Sequence, residues 1–212
     1  YMSHKISVYI IVFNDVEKIE AAINSVMWAD EVVVVDSYST DGTTELAQKL
    51  GAKVVHEDFN GFGDLRNKAI THCQYDWIFS LDSDERCTIE LRDEILNIVN
   101  TSISQLRHRV FFVPRKNYFM GKWIKHSGWY PNYRQPQLFF RGCMSYTLDS
   151  VHEGYVLHSG ETEIPEKDLI GYLQQAAWQM PFQNLDQLLQ KANRYSTLGV
   201  KKLIKKKSNP SL

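Results

Sequence analysis

Short apolar runs alternate with amphipathic stretches through the first half of the chain. "VYIIVF" (8–13), "EVVVVD" (31–36), "AKVVHE" (52–57), "WIFSL" (77–81) and "RVFFV" (109–113) read as strands. The second is too continuously apolar to lie half-exposed. Between them the apolar positions take helical spacing. Asn14 or Asp15 caps a helix facing inward through Ile19, Ala22, Ile23 and Val26. Thr40 or Asp41 caps the next, which buries Leu46, Ala47 and Leu50 and stops at Gly51. "DLRNKAITHC" (64–73) is a short helix, and Thr88 opens another with Leu91, Ile95, Ile98 and Val99 on one face. Strand–helix alternation of this kind predicts an α/β fold: a mostly parallel sheet with helices on both faces. Ligands of such sheets collect beyond the carboxyl ends of the strands. Asp36 and Asp82 both stand there.

The pattern changes after residue 114. "RKNYFMGKWIKHSGWYPNYRQPQ" (115–137) is rich in aromatics, Gly and Pro and reads as a ligand-covering loop. "QLFFRG" and "SYTL" read as mixed strands, and two helices are predicted from Pro165 onward. The second, 184–207, spaces Leu185, Leu188, Leu189, Ala192, Leu203 and Ile204 helically and carries Lys201, Lys202, Lys205, Lys206 and Lys207 near its end.

Charge sharpens this picture locally. A formal net charge of −1 over 212 residues gives no reason to expect nucleic acid as a partner. Yet no Asp or Glu occurs between Ile95 and Leu148, a stretch holding Arg107, Arg109, Arg115, Lys116, Lys122, Lys125, Arg134 and Arg141. A site for an anionic ligand and a basic surface face explain that equally well. Cys73, Cys87 and Cys143 lack zinc-ligand or redox spacing, so reduced thiols and a cytoplasmic location are expected. Met2 reads as the native start, with no signal peptide ahead of the first strand and no apolar run of membrane-spanning length.

The densest chemistry follows the fourth strand. Asp82, Asp84 and Glu85 crowd like charges together, which raises their pKa values unless a cation sits among them. Asp-x-Asp at a strand end is a divalent-metal signature. Mg²⁺ or Mn²⁺ accepts one or two carboxylates and completes its shell with water and phosphate oxygens. The alternative is that Asp84 or Glu85 supports the following helix start. In "VVVDSYSTDGT" (33–43), Asp36 is placed to accept from a base NH or a ribose hydroxyl, while Asp41-Gly42 is turn chemistry.

"IIVFND", "VVVDSYSTDGT", "GFGDLRNKAI" and "WIFSLDSDE" resemble, in order, the motifs of family-two bacterial glycosyltransferases with the GT-A fold. "GWYPNYRQPQLFFR" and "VHE" are similar to lipopolysaccharide inner-core β-glucosyltransferases, though Ala177-Trp178 stands where that subgroup would carry a His-Tyr pair. The resemblance implies a Rossmann-like GT-A domain over 1–160 that binds nucleotide sugar and catalyses transfer. A helical extension follows over 161–212, whose lysine-rich end reads either as a contact with an anionic membrane surface or as a solvated helix end. It implies an inverting, metal-dependent hexosyltransferase moving a hexose, glucose in that subgroup, from a UDP-sugar to a glycolipid or oligosaccharide acceptor. Its expected location is cytoplasmic, peripheral at the inner face of the inner membrane.

Residue by residue, the resemblance implies Asp36 at the uracil or ribose and Arg66 near base and phosphates, with Asn67 supporting that loop. It puts Asp82 at ribose or metal and Asp84 on the metal. Glu153 is the expected base for the acceptor hydroxyl, with Asp149 in reserve. His152 reads equally as base, phosphate donor or packed loop residue. Trp129 and Tyr130 either stack on a sugar or anchor the loop. Arg115, Arg134 and Arg141 are candidates for phosphate. A sugar nucleotidyltransferase would need a glycine-rich basic loop after the first strand, which "IVFNDVEK" lacks. A non-catalytic sugar- or membrane-binding module would lack metal-dependent turnover.

Overall fold

The structure, a computed structural model, describes residues 5–126, 128–131, 133, 136–148, 154–159, 164–182, 185–189, 193 and 196. Strands β1 (Ile6–Val12), β2 (Glu31–Asp36), β3 (Lys53–His56) and β4 (Trp77–Asp82) alternate with helices α1 (Val16–Val26), α2 (Thr43–Lys49) and α3 (Phe62–His72). A two-residue strand β5 (Glu85–Arg86) precedes α4 (Ile89–Val99), and β6 (Val110–Phe112) follows. Next come β7 (Arg115–Phe119), β8 (Lys122–Trp123), β9 (Pro136–Phe140), β10 (Met144–Tyr146), β11 (Tyr155–Leu157), β12 (Ile170–Tyr172) and β13 (Ala177–Gln179).

The central sheet runs β12-β6-β9-β4-β1-β2-β3. All its neighbours are parallel except β9, which lies antiparallel between β4 and β6. Strand β1 is buried along its whole length, and its side chains sort by twos. Ile6, Val8, Ile10 and Val12 join the core packed by α1, α2 and α4, whereas Tyr9 and Ile11 join the one packed by α3 and β10. Helices therefore cover both faces, as the apolar pattern predicts. Ile19, Ala22, Ile23 and Val26 are indeed the buried residues of α1, and the Thr88 hydroxyl accepts from Leu91 N to open α4. All three cysteines are buried free thiols.

Register fixes the site. Val12 pairs with Asp36 on one side of β1, and Ile11 pairs with Asp82 on the other. Both carboxylates thus flank the carboxyl end of β1, about 10 Å apart by strand spacing.

The second half departs from the sequence reading. Residues 115–137 are not a plain loop, because β7 and β8 lie there in a second sheet ordered β5-β13-β7-β8. The first helix expected after Pro165 is replaced by a 3₁₀ turn (Glu166–Asp168) and the strands β12 and β13. Gly171 explains part of this. A Cβ there would lie 2.7 Å from the Phe111 ring, so close packing on β6 selects glycine, a weak helix former. Because β12 joins the central sheet, that sheet continues past the expected boundary at residue 160. Residues 185–189 are helical, and the lysines at 201–207 lie outside the described residues. Among the described residues, no helix is long and apolar enough to cross a membrane.

Candidate active site

Asp36 ends β2 fully buried, and its carboxylate turns into its own loop. It accepts from Ser39 N (3.2 and 3.1 Å), Ser39 Oγ (2.5 Å) and Thr44 Oγ1 (2.6 Å). The sequence reading offered this carboxylate to a base or ribose, but its partners make it the frame of the loop. What the loop presents outward is Tyr38, held at φ 62° and stacked on His56 with ring centroids 5.4 Å apart. His56 Nε2 in turn lies 3.5 Å from Asp36 Oδ2. Ser37 Oγ is buried with no hydrogen-bond partner among the described residues. Asn14 ties the end of β1 to the same loop, accepting from Thr40 N and donating through its own N to Ser39 Oγ, each at 2.8 Å. Asp41 accepts from Val16 N and Thr43 N, so it caps the starts of α1 and α2 together. Partial burial opposes its charge, but these amides and the Thr43 hydroxyl outweigh that and hold its carboxyl below the usual range.

Helix α3 delivers two neighbouring side chains to opposite tasks. Arg66, nearly buried, donates to Asp82 Oδ1 (2.6 Å) and Ser80 Oγ (2.9 Å), with its guanidinium 5.6 Å from the Tyr146 ring centre. Asn67 grips the backbone of Tyr146, donating to its O and accepting from its N, both at 2.9 Å. Arg66 therefore faces the strand-end carboxylate, while Asn67 is occupied by β10. Tyr146 also meets Tyr9 hydroxyl to hydroxyl at 3.1 Å. Burial pushes the Tyr9 phenol well up and raises that of Tyr146, so both stay neutral.

Part of the cation demanded by Asp82, Asp84 and Glu85 is supplied by the chain itself. Glu85 is fully buried, accepting from Arg115 Nε at Oε1 and from Asp82 N (3.0 Å) and Gln137 Nε2 (2.8 Å) at Oε2. Burial raises its carboxyl, Arg115 opposes that, and Asp82 and Asp84 add to it. Arg115 is thus a structural partner in the interior. Arg141 is likewise committed, donating to the carbonyls of Ile70 (3.0 Å) in the last turn of α3 and of Cys73 (2.7 Å) and Tyr75 (2.8 Å) just past it. Neither is presented to phosphate as the sequence reading allowed.

Asp84 remains half-exposed, with Oδ1 at 3.4 Å from Gln179 Nε2, a long contact. No group of three or more His, Cys, Asp or Glu that could hold a metal occurs among the described residues. Two hard carboxylates, Asp82 and Asp84, neither of them fully buried, still fit a Mg²⁺ or Mn²⁺ whose remaining ligands are water and phosphate. Trp129 is exposed, and its carbonyl accepts from Asn117 Nδ2 (3.1 Å), while Tyr130 packs edge-on against Trp123. Arg134, Asp149, His152 and Glu153 lie outside the described residues.

Comparison with known proteins agrees with this geometry. The family model described as glycosyl transferase family 2 matches residues 7–152. An uncharacterized glycosyltransferase of Rickettsia bellii is 34% identical over 99% of this chain and 71% of its own length. The lipopolysaccharide core biosynthesis glycosyltransferase LpsC of Rhizobium meliloti is 27% identical over 97% of this chain and 74% of its own. Among solved structures, S. aureus TarS 1–349 in complex with UDP superposes with a TM-score of 0.59 and 20% identity, covering 83% of this chain and 60% of TarS. That likeness shows the same fold, the GT-A arrangement.

Proposed function

The chain belongs to glycosyl transferase family 2, and from that premise we propose that it moves a hexose from a UDP-sugar to a lipopolysaccharide-core or related glycolipid acceptor, inverting the anomeric carbon. The observation that carries the donor half is the Arg66–Asp82 pair standing with Asp84 at the strand ends that β1 brings together. The relationship to LpsC supports the acceptor class.

In this reading the loop framed by Asp36 receives the nucleoside, Tyr38 and His56 give it a ring surface, and Arg66 faces the diphosphate. A divalent ion at Asp84 and Asp82 would neutralise charge growing on the leaving diphosphate. The acceptor hydroxyl attacks the anomeric carbon as the bond to the diphosphate oxygen breaks, and Glu153 takes the proton, with Asp149 the reserve base. Asn67 matters here because it fixes Tyr146, three residues ahead of Asp149. Arg134 meets phosphate, either of the donor or of a phosphorylated acceptor core. Screening UDP-glucose, UDP-galactose and UDP-amino sugars for Mn²⁺-dependent binding and hydrolysis tests the reading. One sugar should stand out, and equal indifference to all of them and to metal would defeat it.

A further inference from the structure

The outer edge of the second sheet carries a surface that sugar transfer leaves unused. β7 and β8 form a hairpin whose turn residues Met120 and Gly121 have φ of 48° and 77°, and the turn leaves Met120 53% exposed. Lys116 and Lys125 place their ammonium groups 4.9 and 4.6 Å from the centre of the Trp123 ring, a cation–π arrangement on one indole. Lys122, beside Trp123, is exposed.

Lys18, Lys53 and Lys68 each pair with a carboxylate, but among the described residues Lys116, Lys122 and Lys125 have no such partner. None is available nearby in sequence, since residues 95–148 contain no Asp or Glu. Exposed Trp129 is held to the same strand through the Asn117 amide.

We infer that the β7–β8 hairpin docks on an anionic lipid surface. Its lysines meet headgroup phosphates, its indoles lie at headgroup level, and Met120 enters the acyl boundary. A soluble phosphate would satisfy the lysines but gives no account of an exposed methionine and tryptophan beside them. Three strand steps separate β8 from β5, roughly 14 Å, which sets the docked surface close to Asp84. That last point rests on the glycolipid-acceptor reading, whereas docking itself does not.

The test is co-sedimentation of the full chain with vesicles of phosphatidylcholine, with and without phosphatidylglycerol. The protein should bind only the anionic vesicles, and salt should weaken binding. At about fivefold per lysine near the surface, Lys116→Gln/Lys122→Gln/Lys125→Gln should weaken it roughly a hundredfold. Met120→Asp should weaken it too, with UDP-sugar binding and unfolding midpoint unchanged in both variants. Two results would overturn the proposal. One is undiminished vesicle binding in the triple variant, including binding lost only when Lys201, Lys202, Lys205, Lys206 and Lys207 become Gln. The other is a raised KM for a soluble phosphorylated oligosaccharide with vesicle binding intact, which would assign the lysines to the acceptor. Failure of the wild type to bind any UDP-sugar would instead remove the transferase reading and leave the vesicle result standing.

Discussion

Glu85 and Arg115 form an ion pair with side chains 0% and 2% exposed, joining the Asp82–Glu85 turn to the second sheet. Gln137 and the Asp82 amide complete the shell around the carboxylate. Removing one partner strands the other charge in the interior, which typically costs about 3–5 kcal/mol. Glu85→Gln and Arg115→Met should each lose stability on that scale in urea unfolding, and the double variant should lose less than the sum. Strict additivity would mean that the two charges do not depend on each other.

Asn67 ties α3 to β10. Asn67→Ala gives up both backbone bonds to Tyr146, a loss of about 1–3 kcal/mol in net hydrogen bonding. Acceptor-dependent transfer should fall while UDP-sugar affinity holds, as Arg66 keeps its own contacts. Donor affinity falling in step with transfer would place Asn67 on the nucleotide instead.

The double cap at Asp41 predicts an acid-sensitive element. Its folded carboxyl titrates below the ordinary value of 3.8, so its stabilisation is present above that value and lost as pH falls through the lower folded one. Asp41→Asn should be about 1 kcal/mol less stable near neutrality, the usual scale for a lost cap. The gap from wild type should narrow in acid unfolding below roughly pH 4. A gap independent of pH would mean that charge plays no part.

Much of this was legible in the sequence where burial and local chemistry agree. The alternation through β1–α1–β2 sorts into two cores because strand residues alternate by twos and helix residues by 3.6. Asp36 and Asp82 were readable as strand ends, but not the direction of Asp36's carboxylate, which its contacts with Ser39 and Thr44 decide. Arg115 looked like a phosphate ligand because sequence shows charge and hides burial. Its partner Glu85 lies thirty residues away and meets it only through β5, β13 and β7. β12 and β13 were missed because short strands take their partners, and hence their conformation, from distant chain.

The proposed base is open to a direct test. Glu153→Gln preserves size but cannot take the acceptor proton, so turnover should fall about 10²–10⁴-fold with donor affinity nearly unchanged. Asp149→Asn is the control in acceptor-dependent transfer assays across pH. Collapse of that variant with Glu153→Gln still active would exchange the two roles.

In the proposed reaction the strand-end carboxylates hold a divalent ion against a sugar-nucleotide diphosphate. The most direct measurement is Mn²⁺-dependent UDP-sugar turnover in Asp84→Asn, alongside its unfolding midpoint. Asp84 is half-exposed and Asn keeps its size, so the midpoint should stay put while turnover drops at least about a hundredfold. Full turnover in Asp84→Asn, with metal still required, would contradict the account.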